Sequence, residues 1–522
     1  MLAARADAVI NPEASGGAPY ACEGFSRFLS QPLWIALHEW ALQHGPIFRL
    51  AFGPKAFTVL SDPAMAKHVL TSPHYSKGFL AEFAAPFFGT GLIAADAATH
   101  RRRAPLVRAS MHRRFLERAL GTQLRCAREA AAGLAAQAAQ APGEILEVDL
   151  EDLYSRIALR TVSLLVFDVD VLARDGSDFE LGEVFEAVGG VMREAEHRST
   201  FFIEYWQFPL ADRLVPRQRQ FQAHLSTLRS ALGALVTEAM ATREEGAVEE
   251  LMETREASSI LRFLVDVRGE DASERQLLDD LMTLLIAGHE TSAAVLTWMT
   301  FLLFSDDGAG YQEKVRDEAL ALAASLDGDE RAPDVGDLMG MTNLRLCAAE
   351  ALRLYPQPPV LIRRPLNDDV LPRGVGTAGG RGPDDGFPIQ AGSDLLLSAW
   401  SLGRNPLLWD APDTFDPSRW TRDVLPAADD GWAGYDAASG LEGLYPSERS
   451  ADYGYLPFGG GTRRCVGDQL GFSQVLLAYA ALVTELDIRL VEPEAVGMKA
   501  GGSIHTSGGL RAEVRPRMSG SV

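Results

Sequence analysis

The sequence predicts a mainly α protein with a small β portion, built as a single large domain. Three observations carry that expectation. Core-forming residues make up 47% of the 522 and continue almost throughout, with no long polar linker to divide them. Segments with helical spacing of apolar residues recur along most of the chain. Strand-like pieces are short: a hairpin pattern at 47–53 and 56–61, and runs at 365–370, 394–398, 488–491 and 510–514.

In chain order, residues 1–31 read as an irregular N-terminal segment, a candidate remnant of a targeting region, and residues 32–522 as the folded domain. The first 24 residues lack an apolar signal core, and Asp7, Glu13 and Glu23 depart from an acid-poor transit peptide. Residues 32–44 suit an amphipathic helix, and Asp62-Pro63 caps the next one. A phenylalanine-rich loop at 79–88 leads to Gly89-Thr90-Gly91-Leu92-Ile93-Ala94, which has the form of a dinucleotide-binding turn. No strand precedes it and Pro105 interrupts the segment after it, so that reading is set aside. Alanine-rich helix fills 115–141, and helical spacing continues over 146–167. The aromatic run at 201–208 suits a channel lining, a membrane surface or core packing equally. Ser273-Glu274-Arg275-Gln276 has the form of a capping box and opens a helix to about residue 304, a rod of about 45 Å at 1.5 Å per residue. Residues 374–386 and 425–450 are rich in turn formers and read as surface loops tolerant of change.

A formal net charge of −22 argues against nucleic acid as a partner. Cys22, Cys126, Cys347 and Cys465 follow no paired or zinc-type spacing, which fits a reducing compartment. Without a run of about 18 apolar residues, membrane contact is expected to be peripheral.

Chemistry concentrates in Phe458-Gly459-Gly460-Gly461-Thr462-Arg463-Arg464-Cys465-Val466-Gly467. Consecutive glycines let a backbone approach a ligand closely, and the apolar run 466–482 reads as a helix starting at the cysteine. A helix N-terminus favours thiolate over thiol, and the thiolate is the form that ligates a metal. A second notable segment is Ala287-Gly288-His289-Glu290-Thr291-Ser292, where glycine, acid and hydroxyl interrupt the long helix. Local distortion is expected there. A zinc site of the His-Glu-x-x-His type fails because Ala293 stands where the second histidine belongs. Glu350 and Arg353 stand three apart on one helix, where they can meet.

The order Phe-x-x-Gly-x-Arg-x-Cys-x-Gly resembles the haem-thiolate signature of the cytochrome P-450 family. The resemblance implies the cytochrome P-450 fold and haem b (iron protoporphyrin IX), with Cys465 as the metal ligand, Phe458, Gly459 and Gly467 shaping its loop, and Arg463 on a propionate. Arg363 or Arg364 would supply another propionate contact. Glu350, Arg353 and Arg419 would form the family's buried triad. Ala287 and Gly288 would face the cofactor from the distal helix, and Glu290 and Thr291 would relay protons with dioxygen as co-substrate. Phe79, Phe83, Phe87, Phe88, Val360, Leu361 and Ile504 would line the substrate pocket. Where the family carries tryptophan and, four residues on, a propionate-binding arginine, this chain has His100 and Ala104. Arg103 is the expected substitute, with Arg101, Arg102 and Arg108 nearby.

The stretches 50–57, 194–201, 215–219, 261–266, 355–364 and 504–506, together with 431–435 and 444–446, are similar to the plant and algal plastid carotenoid-hydroxylase subfamily. That resemblance implies a chloroplast monooxygenase hydroxylating an apolar C–H bond, foremost the β-ionone ring of a carotene, with ferredoxin as electron donor docking near Arg464. The alternatives are a fatty-acid or other terpenoid hydroxylase, a haem-thiolate isomerase or dehydratase needing no electron donor, and a non-enzymatic haem sensor or degenerate scaffold. Glu290 and Thr291 count against the isomerase.

Overall fold

The computed structural model describes residues 19, 31–52, 55–170, 181–200, 204–242, 259–268, 273–375, 386–426 and 431–517. Most of segment 1–31, including Cys22, and the aromatic residues 201–203 lie outside them, as do 376–385 and 427–430 of the two expected loops. The principal helices are α1 (Leu33–His44), α2 (Pro63–Thr71), α3 (Phe79–Phe88), α4 (Ala97–Ser110), α5 (Arg113–Gln140), α6 (Leu150–Phe167), α7 (Leu181–Thr200), α8 (Pro216–Ala241), α9 (Ile260–Arg268), α10 (Glu274–Leu303), α11 (Ala309–Asp329), α12 (Thr342–Leu354) and α13 (Asp468–Glu485). The strands are β1 (Ile47–Phe52), β2 (Lys55–Leu60), β3 (Tyr75–Ser76), β4 (Leu146–Asp149), β5 (Val360–Pro365), β6 (Asp369–Leu371), β7 (Phe387–Ile389), β8 (Asp394–Ser398), β9 (Leu486–Leu490), β10 (Met498–Ala500), β11 (Ile504–Thr506) and β12 (Arg511–Pro516). Among the described residues, no helix is long and apolar enough to cross a membrane.

Side-chain caps start the helices that the sequence marks. Asp62 accepts from the Met65 N–H at 3.0 Å and opens α2, and Ser273 accepts from the Gln276 N–H at 3.2 Å and opens α10. Two expectations are corrected. Residues 79–88 form a helix rather than a loop, since Leu80, Glu82 and three alanines carry helix propensity beneath the phenylalanine cluster. Residues 146–149 form a strand instead of the start of a helix, because they pair with β12, and Asp149 then caps α6.

The chain divides into two compact units, Met1–Phe83 with Ala349–Cys465, and Ala84–Ala348 with Val466–Val522. In the first unit a sheet runs in the order β1-β2-β8-β5-β3, mostly antiparallel, with β2 and β8 parallel. Helix α1 buries Ala36, Leu37 and Trp40 against Phe48, Leu50, Phe57, Val59 and Leu396, forming this unit's core. The expected loop at 425–450 is corrected over 431–450. Trp432, Tyr435, Leu444 and Tyr445 are buried, and the Tyr435 hydroxyl donates to the Trp420 carbonyl at 2.9 Å.

The second unit is helical around α10, which is buried over most of its 30 residues. Its polar positions are accommodated locally. The hydroxyls of Thr283, Thr291, Thr297 and Thr300 each donate to the carbonyl four residues back, at 3.0, 2.7, 2.9 and 2.8 Å. No break accompanies them: α10 runs as one helix through 287–292. Helices α5 and α13 are tied by Gln123, which donates to the Leu470 carbonyl and accepts from Ser473, both at 2.9 Å. Small sheets β4-β12-β9 and β10-β11 complete the unit.

A buried ion pair also fixes α4 to α10, with Arg103 donating to Asp280 at 2.9 Å and to the Thr90 carbonyl at 2.7 Å. This corrects the propionate role expected of Arg103, whose guanidinium answers an internal carboxylate. The neighbouring Arg101 and Arg102 are exposed. Stranding one charge of a buried pair costs about 3–5 kcal/mol, whereas an exposed side chain stays within about 0.5 kcal/mol. Asp280→Ala is therefore expected to lower the denaturant midpoint sharply, and Arg102→Ala to leave it in place, as equilibrium unfolding will record.

Candidate functional site

The cysteine loop lies in the first unit. Gly459 and Gly461 adopt φ of 69° and 65°, and a Cβ on Gly461 would sit 1.8 Å from the Leu70 carbonyl oxygen, so glycine is required there. The Cys465 N–H donates to the Phe458 carbonyl at 3.0 Å, and the Cys465 side chain is exposed. Phe458 packs against Tyr445 in a tilted arrangement, 4.7 Å between ring centroids. The helix expected to start at the cysteine starts instead at Asp468, with Gly467 as its N-cap residue.

Positive charge gathers beside this thiol. On β5, Val360 and Ile362 point into the core formed by α1, while alternation turns Leu361 and Arg363 to the other face. Val360 thus leaves the expected pocket set for the core, and Leu361 comes within 3.9 Å of the Cβ position of Gly459. Arg363 is buried, and burial followed by the charge of Arg463 brings its pKa down to about 10. Lys77 follows Ser76, whose register partner is Arg364, and so emerges beside Arg363. Burial, then Arg363 and Arg463, hold the Lys77 ammonium well below the usual lysine range, while the Cys465 sulfur acts in the opposite sense. Two arginines and a lysine around one thiol are a donor set that fits a ligand with two anionic arms and a metal. Arg364, the alternative to Arg363, is committed to Asp394 at 2.6 Å and to Glu82 at 2.5 Å. Lys77 was missed in the sequence because a lone lysine reads as surface.

Glu350, Arg353 and Arg419 meet in the same unit, all buried. Arg353 donates to both Glu350 oxygens, at 3.0 and 2.7 Å, and Arg419 donates to Oε1 at 2.9 Å. Arg353 also reaches the carbonyls of Gly403, Pro412 and Thr414. A fork of five donors can satisfy so many acceptors, and lysine cannot. Arg464, the expected docking arginine, lies 3.2 Å from Glu448 and donates to the Tyr445 hydroxyl at 2.7 Å.

In the second unit, α10 presents Ala287, Gly288, Glu290 and Thr291. A Cβ on Gly288 would meet Val162 at 3.0 Å, so the glycine admits α6 at close range. The Thr291 hydroxyl donates to the Ala287 carbonyl at 2.7 Å. His289 is buried and bonded to Ser155 at 2.7 Å, and burial lowers its pKa to about 4, so it is neutral at physiological pH. Glu290 accepts from the Ser503 N–H at 3.1 Å and lies 3.0 Å from His505 Nε2.

The other predicted lining residues divide between the units. Phe79 packs against Phe57 and Phe83 in the first, each at 6.3 Å. In the second, Phe87 is fully buried against Phe221 at 5.4 Å with Arg198 over its ring, making it core, while Phe88 is half-buried beside it. Ile504 is buried, and its carbonyl accepts from the Trp298 indole at 2.8 Å.

Comparison with known proteins supplies the context for this geometry. The family profile described as cytochrome P-450 matches residues 21–507. The chain is 41% identical over 513 residues to cytochrome P-450 97B2, chloroplastic, of Glycine max, covering 96% of this chain and 86% of that one. It is 38% identical to the Arabidopsis thaliana protein LUTEIN DEFICIENT 5, chloroplastic, over 94% of this chain and 75% of that one. It is 33% identical to the carotene epsilon-monooxygenase, chloroplastic, of the same plant, over 94% and 83% respectively.

The Arg353 network generates a sharp test. Arg353→Lys keeps the charge but loses the fork, and is expected to lower the unfolding temperature nearly as far as Arg353→Ala. Arg422→Ala, which removes an exposed pair, should cost no more than about 1 kcal/mol.

Proposed function

Because the chain belongs to the cytochrome P-450 family of monooxygenases, with haem b as cofactor and dioxygen as co-substrate, we propose that it hydroxylates the β-ionone ring of a carotene in the plastid. The observation that carries this reading is the similarity, over 94% of the chain, to a relative named carotene epsilon-monooxygenase, chloroplastic. The other two relatives described above are also named chloroplastic. The reaction consumes two electrons, and the reading takes them from ferredoxin.

Haem b held by a cysteine thiolate would supply dioxygen activation and insertion of one oxygen atom into a C–H bond. Cys465 would hold the iron, its loop kept open to a ligand by Gly459 and Gly461. Arg363, Arg463 and Lys77 would take the propionates, whose negative charge offsets the cations' mutual repulsion. This set would replace the family contact that Ala104 cannot make. The triad keeps the surrounding backbone fixed through Glu350. Glu290 would hold and pass a proton, and the Thr291 hydroxyl, already donating to Ala287, keeps lone pairs with which to accept one. Apolar burial at about 25 cal/mol per Å² is enough to bind a hydrocarbon ring with no charged anchor. Exposed Phe208, Leu210 and Leu214 support peripheral contact with a membrane, where such a substrate resides.

The test is incubation of the haem-loaded protein, reduced ferredoxin and dioxygen with β-carotene, α-carotene and a fatty acid, followed by product analysis. Hydroxylated β-rings are expected. Hydroxylated fatty acid without hydroxycarotenoid would overturn the substrate reading. In parallel, Cys465→Ser should abolish the red-shifted Soret band of the reduced carbon monoxide complex; survival of that band would overturn the ligand assignment.

A further inference from the structure

Glu290 does not stand alone in the second unit. Its Oε1 lies 3.0 Å from His505 Nε2, and the other ring nitrogen of His505 lies 2.9 Å from Glu151 Oε1. Glu151 also accepts from the Thr506 hydroxyl and belongs to the first turn of α6. The cluster thus spans α6, α10 and β11. The turn between β10 and β11 is shaped around it. A Cβ on Gly502 would come within 3.2 Å of Glu290 Oε1, and one on Gly501 within 2.7 Å of the His505 ring.

We propose that His505 is the positioning residue of the distal acid: an imidazolium clasped between Glu151 and Glu290 that holds the Glu290 carboxylate in place and, by its charge, controls proton delivery there. The inference rests on the role given above to Glu290. Both histidine nitrogens face carboxylate oxygens, and only the doubly protonated ring donates to both. Burial alone would lower the His505 pKa, but the two hydrogen bonds and two negative charges outweigh it and raise the value to about 10. For Glu151, burial pushes upward, yet His505 and Thr506 bring the carboxyl below its ordinary range.

The other groups facing His505 fit that charge. Across the hairpin its register partner is Lys499, itself paired with Glu196 at 3.3 Å. From α10, His289 is neutral at physiological pH and adds no competing charge. The Ser503 N–H donates to Glu290 without titrating. Glu151 therefore anchors the imidazolium, and removing its charge releases the pKa of His505 toward the ordinary value of about 6.5.

The test uses the haem-loaded protein with reduced ferredoxin and reads peroxide released per electron consumed from pH 6 to pH 8. This ratio can be read with any apolar substrate that is turned over, so failure of the carotene reading leaves it measurable. The unaltered protein should give a low, flat ratio. His505→Gln should raise it severalfold at every pH. Glu151→Gln should keep it low near pH 6 and raise it severalfold near pH 8, as the imidazole loses its charge. A second readout needs no turnover. A raised histidine pKa contributes stability that is fully present below about pH 6.5 and lost as pH rises through about 10. The unfolding temperature of the unaltered protein should therefore exceed that of His505→Gln at pH 6, and the two should converge by pH 10. A peroxide ratio in His505→Gln equal to that of the unaltered protein, or a flat profile in Glu151→Gln, would overturn the proposal. Failure of both variants to retain haem would do the same, since the cluster would then be a structural lock.

Discussion

Two guanidiniums and an ammonium, Arg363, Arg463 and Lys77, press on one another beside a single thiol, and this concentration of like charge is the constraint on which the first unit turns. Arg363 and Lys77 are disfavoured by loss of water and by neighbouring positive charge, which brings Arg363 down to about 10 and holds Lys77 well below the lysine range. Such an arrangement persists only where the backbone gives the charges no route apart. Pairing of β5 with both β8 and β3 fixes Arg363 and Lys77. The Glu350–Arg353–Arg419 network anchors α12 and the segment 403–419 in the same unit. The proposed haem placement answers that constraint with two propionates and a metal for the thiolate.

The second unit solves a different problem, that of carrying polar chemistry on a helix buried on nearly every side. Threonine hydroxyls in α10 bond back along the helix, His289 is kept neutral and tied to Ser155, and Glu290 is met by His505 and the 503 amide. Each of these polar side chains thereby has a stated partner. Glu290, the acid proposed to pass a proton, is held by His505 as well as by a backbone contact.

What was legible in the sequence was local. The cysteine loop reads directly because its glycines, arginine and cysteine are contiguous. The caps at Asp62 and Ser273, the hairpin of β1 and β2, and strand β8 arise from neighbouring residues. What was not legible depends on partners far along the chain. Arg103 resembled a free cation because Asp280 lies 177 positions away. Lys77 is an ordinary lysine until β3 sets it beside Arg363. His505 stood inside a subfamily-like stretch without a role, since both carboxylates that define it come from helices far along the chain, α6 and α10. The segment 431–450 misled through its glycines and aspartates, whose turns bring Trp432 and Tyr435 inward.

The most direct measurement of the central claim compares the loading of the haem-free protein with haem and with haem dimethyl ester, which has the same iron and ring but no propionate charge. If Lys77, Arg363 and Arg463 are held together to receive two carboxylates, the ester should load at least about tenfold more weakly, a difference of about 1.4 kcal/mol, and Lys77→Met should narrow the gap. Equal loading of haem and its ester would contradict the account.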